Sequence, residues 1–159
     1  MPAALPPLLP GDCLLYRGDG FLSWAIRVKT WAPVSHCEGL VDAQTVVAAR
    51  KGGVRRYPFT RTHLYAVLRP TVPFDVAAAQ RWFTASAEGQ AYAWFGLLRF
   101  YLIGRPKPNF TKQVCSALLT RWYRAGGLHP FCGTWDADQV SPGMFLASTQ
   151  FTEIWRVGA

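Results

Sequence analysis

Four short apolar or alternating runs follow one another between residues 35 and 69. They are Ser35-His-Cys-Glu-Gly-Leu-Val41, Thr45-Val-Val-Ala-Ala-Arg50, Gly53-Val-Arg-Arg-Tyr-Pro-Phe59 and His63-Leu-Tyr-Ala-Val-Leu-Arg69. Only Asp42-Ala-Gln, Lys51-Gly-Gly and Thr60-Arg-Thr separate them. Parallel strands need crossovers of a dozen residues or more, whereas antiparallel neighbours need only tight turns. The spacing therefore predicts an antiparallel meander, either a curled sheet or a small barrel. Gly11-Asp-Cys-Leu-Leu-Tyr-Arg17 reads as a strand ahead of it, and Phe151 to Val157 as a last strand.

Helical signals frame the meander. Ser23 is read as the cap of a short helix from Trp24 to Trp31 that ends before Pro33. Asp75 is read as the N-cap of a helix to about Glu88, with Val76, Ala79, Phe83 and Ala87 on one side. The segment from 89 to 103 reads as partly helical, and 104 to 109 as a loop with two prolines. In Lys112 to Gly127 the apolar residues Cys115, Leu118, Leu119, Trp122 and Tyr123 fall on the i, i+3, i+4, i+7, i+8 stripe of an amphipathic helix stopped by Gly126-Gly127. Ser141 to Ala147 reads as an N-capped helical turn. The class is α+β. At 159 residues the chain, 1–159, fits a single domain.

Cys115 stands in the first turn of its helix. Exposed backbone N–H groups there carry partial positive charge and bias a thiol toward the nucleophilic thiolate. The same position suits a small core residue, since free cysteine is among the most buried residue types. A nucleophile needs a base, and the base needs a group to hold it. His36, His63 and His129 are available. Residues i and i+2 of a strand share a face, so Glu38 lies on the His36 side and has the placement of an orienting carboxylate. That placement also fits a solvent-facing acid. Neither His63 nor His129 has an acid at strand spacing, although Asp136 and Asp138 follow His129. Cys37 points away from His36 and reads as core; Cys13 in its apolar strand and Cys132 beside Gly133 in a loop lack a basic neighbour and read as inert. The absence of G-x-S-x-G gives serine chemistry no support.

Seventeen Lys and Arg against nine Asp and Glu give a net charge of +8, which suits an anionic partner. The basic residues are scattered, and no nucleic-acid motif frames them, so no nucleic-acid partner is expected. The four cysteines show no zinc-ligand spacing and no disulfide pattern, so neither metal nor cofactor is expected. The most apolar stretch, 91 to 103, is broken by Arg99 and is too short for a transmembrane segment. Met1 to Pro10 lacks the basic start and cleavage site of a signal peptide, so the expectation is a chain made and kept reduced in the cytoplasm.

The order Gly11-Asp-Cys-Leu-Leu-Tyr16, Ser35-His36, Val47-Ala-Ala-Arg50, Gly53-Val54, Glu88-Gly-Gln-Ala-Tyr92, Val114-Cys-Ser-Ala-Leu118 and Val140-Ser-Pro-Gly143 resembles the circularly permuted branch of the NlpC-type papain-like cysteine peptidases. The resemblance runs over nearly the whole chain, with the histidine strand ahead of the cysteine helix. It implies a papain-like core in which Cys115 is the nucleophile and His36 the base. Relatives cleave amide bonds in bacterial cell-wall peptides, and others in the wider superfamily act on acyl lipids or esters. One departure stands out: where many permuted relatives carry a polar residue on the strand after the histidine, this chain has Ala48. Glu38 is the substitute, as in a phage-associated subgroup with a Ser-His-x-Glu strand. The expected function is a cysteine hydrolase of anionic cell-wall peptides, phage-delivered or acting at the envelope. The alternatives are a lipid-directed thioesterase or acyltransferase, with the aromatics from Tyr92 to Tyr101 flooring an acyl-lipid groove, and a non-catalytic module.

Overall fold

The computed structural model describes residues 4–92 and 112–158. It is an α+β structure: a six-stranded antiparallel sheet packed against helices. In chain order the strands are β1 (Cys13–Tyr16), β2 (His36–Asp42), β3 (Thr45–Arg50), β4 (Gly53–Pro58), β5 (Leu64–Pro70) and, at the end, β8 (Phe151–Arg156). Their order across the sheet is β4-β3-β2-β1-β5-β8, so β2, β3 and β4 form the expected meander, while β5 is not β4's neighbour: β1 is inserted between β2 and β5. The sheet is open, with β4 and β8 at its edges; of the two sequence expectations, curled sheet and closed barrel, the sheet is what forms. A short parallel pair, β6 (Ala91–Tyr92) with β7 (Lys112–Gln113), stands apart.

The tight connections have local causes. The Asp42 carboxylate accepts the Gln44 N–H at 2.9 Å, closing the β2–β3 turn. The β3–β4 turn ends on Gly53 at φ 99°, a left-handed value that favours glycine, and a Cβ there would also lie 3.1 Å from the Gln90 carbonyl.

Among the described residues three α-helices pack with the sheet: α1 (Phe21–Thr30), α2 (Val76–Trp82, continued by a π turn at Phe83–Ala87) and α3 (Cys115–Ala125). Asp75 caps α2 through the Ala78 N–H, as the sequence predicts. Ser23 does not cap α1. The cap residue is Gly20, and Ser23 lies inside the helix, where its hydroxyl donates to the Gly18 carbonyl at 2.6 Å. With that hydrogen committed, the Ser35 hydroxyl donates to Ser23 Oγ at 2.5 Å, which ties α1 to the residue just before β2.

One sheet face, carrying Cys13, Leu15, Cys37, Val47 and Leu68, packs on Leu118, Leu119, Trp122 and Tyr123 of α3 and on Phe83. The other carries Leu14, Tyr16, Leu40, Val46, Ala48 and Val67 and is covered by Leu5, Leu8, Tyr57 and Phe59 among others. Gly39 sets how closely α3 approaches β2. A Cβ there would stand 2.6 Å from the Trp122 ring and 2.9 Å from Leu119. Gly39→Ala is therefore expected to cost about 1–3 kcal/mol through overpacking. A lower urea midpoint would show it, and an unchanged midpoint would refute this account of the contact. The expected aromatic groove beyond Tyr92, the helical reading of 93–103 and the proline loop at 104–109 lie outside the described residues.

Candidate active site

Cys115 is the first residue of α3, and the residue before it, Val114, is a cap with no side-chain hydrogen bond. No capping side chain competes for the N–H groups of the first turn, which leaves them for an incoming anion. Ser116 anchors this helix start by donating to the Val140 carbonyl at 2.5 Å. Across from it, β2 begins at His36, which pairs with Tyr16 of β1 and lies with its ring 5.9 Å from the tyrosine ring. Tyr16, by position a candidate second oxyanion donor, instead gives its hydroxyl to the Thr60 carbonyl at 3.2 Å.

The two-residue spacing acts as strand geometry requires. His36 Nε2 lies 2.8 Å from Glu38 Oε1, and Glu38 is 1% exposed. The Ser-His-x-Glu strand thus places a buried carboxylate against the imidazole, and a solvent-facing acid is not what Glu38 is. With Nε2 engaged, Nδ1 is the nitrogen left for Cys115, to which His36 also hydrogen-bonds.

Sequence reasoning missed two participants. Arg50, at the end of β3, grips Glu38 with both oxygens: Nε donates to Oε1 at 2.6 Å and Nη2 to Oε2 at 2.8 Å. Extending the β2–β3 register of Gly39 with Val47 places Ala48 across from Glu38 and Arg50 across from His36. The signal was legible, since Ala48 and Arg50 share the Glu38 face by alternation. Arg50 also stacks on Tyr57, 4.5 Å from the ring centre. Cys37 is the second. Pointing away from His36 turns it toward α3, where its side chain hydrogen-bonds Cys115.

These contacts set the charges. The Cys115 thiol lies well below the ordinary cysteine pKa; the Cys37 hydrogen bond is the largest cause, outweighing burial, and the His36 charge and hydrogen bond add to it. Burial pushes the Cys37 thiol up, so it stays a protonated donor. Burial alone would lower the His36 pKa, yet the charge and hydrogen bonds of Cys115 and Glu38 raise it to about 10. Burial likewise opposes ionisation of Glu38, but His36 and Arg50 bring it down to about 2. These directions favour a thiolate facing an imidazolium, with the Glu38 carboxylate and the Arg50 guanidinium beyond it.

The other candidates have partners or surroundings of their own. His63 sits at φ 62° and pairs with Asp19 at 3.1 Å. His129 is exposed, and Asp138 pairs with Arg121, not with it. Cys13 is buried with its pKa pushed up by burial. Cys132 is an exposed surface thiol whose pKa is lowered chiefly by the Thr134 backbone N–H.

A cleft of about 340 Å³ is lined by His36, Glu38 and Arg50, by Leu22, Ser23 and Ile26 of α1, and by His63. Cys115, 5% exposed, is not in that lining.

No family model matches the chain, and no curated protein matches it in sequence. Among solved structures it is similar to metalloprotein yiiX from Escherichia coli O157:H7, with a TM-score of 0.64 over 94% of this chain and 98% of that one, at 18% identity. Identity this low speaks for a shared fold and transfers no activity.

Proposed function

We propose that this chain is a cysteine hydrolase that cleaves amide bonds by acyl transfer, with bacterial cell-wall peptides as substrate, on a permuted NlpC-type papain-like core. One observation carries the reading: a thiol of lowered pKa at a helix start without a side-chain cap faces an imidazole whose other nitrogen is held by a buried carboxylate. In the proposed cycle the Cys115 thiolate attacks the carbonyl carbon, and the tetrahedral oxyanion is met by the Cys115 backbone N–H, a kind of contact worth about 3–4 kcal/mol. His36 gives its proton to the leaving nitrogen as the C–N bond breaks. The neutral imidazole then takes a proton from water, whose oxygen displaces sulfur from the thioester. Acid is released and the ion pair restored. Glu38, clamped by Arg50, keeps the ring turned. The structural neighbour yiiX is a metalloprotein. Among the described residues of this chain no group of three or more His, Cys, Asp or Glu fits a metal ion, and no step is routed through one.

A second reading, a lipid-directed thioesterase or acyltransferase, is favoured by the bare aromatic side chains of α1 next to the cleft. Mass spectrometry of muropeptides and of acyl lipids incubated with the protein separates the two.

The nucleophile has its own test. In a Cys132→Ser background, which removes the exposed competitor, iodoacetamide alkylation of Cys115 is expected to stay nearly flat between pH 8 and pH 6. A thiol of ordinary pKa loses roughly fiftyfold or more over that range. A steep fall at Cys115 removes it as a resting thiolate.

A further inference from the structure

Helix α1 is packed in an unusual sense. Its one fully buried side chain is Ile26, while Phe21 is 81% exposed, Trp24 and Val28 are each 52% exposed, and Trp31 just beyond its end is 95% exposed. The spacing i, i+3, i+7, i+10 gathers these four within about 80° of one another on the side opposite Ile26. An amphipathic helix of a water-facing protein carries such a stripe inward; here it points outward. Trp31 adds a second, separate oddity. It adopts the left-handed conformation, φ 50° and ψ 37°, at a helix end where glycine is the usual residue. A tryptophan held there against its backbone preference and left bare is the kind of outlier that marks a function.

We propose that the Phe21-Trp24-Val28-Trp31 face of α1 seats the protein on an anionic lipid surface, with the cleft that contains His36 on the same helix's other side. The charge around the stripe selects this occupant. The helix has no acidic residue, Arg27 and Lys29 fall to either side of the stripe by helical periodicity, and the turn before it exposes Arg17 together with Asp19, whose carboxylate is paired with His63 at 3.1 Å, so the surround stays net basic. Basic side chains flanking aromatics are the pattern of an interfacial helix: rings enter the acyl boundary while cationic ends reach the headgroups. A second copy of this chain would bring another net charge of +8 toward the same face, which opposes self-association. The described residues hold no helix long and apolar enough to cross a membrane, so the contact is one of lying on the surface. Leu22, Ser23 and Ile26 of α1 line the cleft, which places the site beside the docked face. The inference does not depend on which bond Cys115 attacks.

The test is sedimentation of the full chain with vesicles of phosphatidylcholine containing 30% phosphatidylglycerol. The parent is expected to bind these vesicles, and to bind pure phosphatidylcholine at least tenfold more weakly. Trp24→Ser with Trp31→Ser should weaken anionic-vesicle binding at least tenfold at unchanged circular dichroism. Trp135→Ser, which removes an exposed tryptophan outside α1, should leave it unchanged. Cys115→Ala should bind as the parent does, so failure of the catalytic reading leaves this result standing. Absence of binding by the parent overturns the proposal, as does equal binding of the double variant. A concentration-dependent doubling of mass in light scattering that the double variant abolishes overturns it too, in favour of a second copy.

Discussion

Cys115→Ala lowers turnover by at least a thousandfold, on whichever of the muropeptide or acyl-lipid pools the parent cleaves. The size follows from what the sulfur is asked to do. Without it no covalent acyl intermediate forms, and loss of a nucleophile in a hydrolase of this kind costs on the order of a millionfold, with only binding and oxyanion contacts left. Cys115→Ser is expected to be nearly as poor. A hydroxyl is far less acidic than a thiol, and the contacts that hold a thiolate beside Cys37 and His36 do not suffice to ionise it. Stability should change little, because both substitutions are small and the rest of the α3 stripe, Leu118, Leu119, Trp122 and Tyr123, still packs on the sheet. The check is single-turnover mass spectrometry: the parent shows an acyl adduct on the Cys115 peptide, and the variant shows none. Turnover retained by Cys115→Ala within tenfold of the parent would place the chemistry on another residue.

The fold was legible where chain connectivity left little choice. Two-residue connectors force antiparallel neighbours, so the β2-β3-β4 meander was readable, and the 3.6-residue stripe gave α3; β5 was readable as a strand but not as a neighbour of β1 and β8. The insertion of β1 between β2 and β5 was not readable, because pairing across distant segments leaves no mark in local pattern. Helix α1 misled for a different reason. Ser23 reads as its cap, but its hydroxyl is spent on Gly18 and Ser35, and most of the large apolar side chains face outward. Composition alone does not say which side of a helix is wet.

The site divides in the same way. His36 and Glu38 were readable together because strand alternation fixes their common face. Arg50 was hidden by attention to Ala48: the position expected to be polar is filled by a methyl group, and the cation two residues on takes up the carboxylate instead. Cys37 reads as core from its face alone, and the same face, opposite His36, is the one that meets α3.

Glu38→Gln tests the network in both roles at once. Glutamine keeps the shape, and one oxygen remains to accept from His36 or Arg50. Its NH₂ group, however, replaces Oε2 where Arg50 Nη2 donates at 2.8 Å, so two donors meet. The half-buried guanidinium also loses its countercharge. Breaking a buried pair from one side costs about 3–5 kcal/mol. The native carboxyl, brought from 4.5 to about 2, corresponds to about 3 kcal/mol of the same interaction. The sign follows from the direction of that shift. A carboxylate whose folded pKa is depressed contributes stability that is present above about pH 4.5 and lost as pH falls toward 2. The gap between parent and variant in urea unfolding should therefore be full at pH 7 and shrink between pH 4.5 and pH 2.5. A gap that stays constant would mean that the Glu38 charge is not what stabilises the fold. His36 runs the opposite way: its raised pKa adds stability below about 6.5 that is lost as pH rises through about 10. Removing the carboxylate lowers that upper limit, so the alkaline limb of the turnover profile should move to lower pH. Turnover itself should fall on the order of a hundredfold or more as the ring loses its fixed orientation. Glu38→Leu with Arg50→Met separates the two roles, since apolar replacement of a whole buried pair is often neutral for stability. That double variant should regain much of the lost unfolding free energy and none of the lost turnover; recovery of both would reduce Glu38 to a structural ion pair.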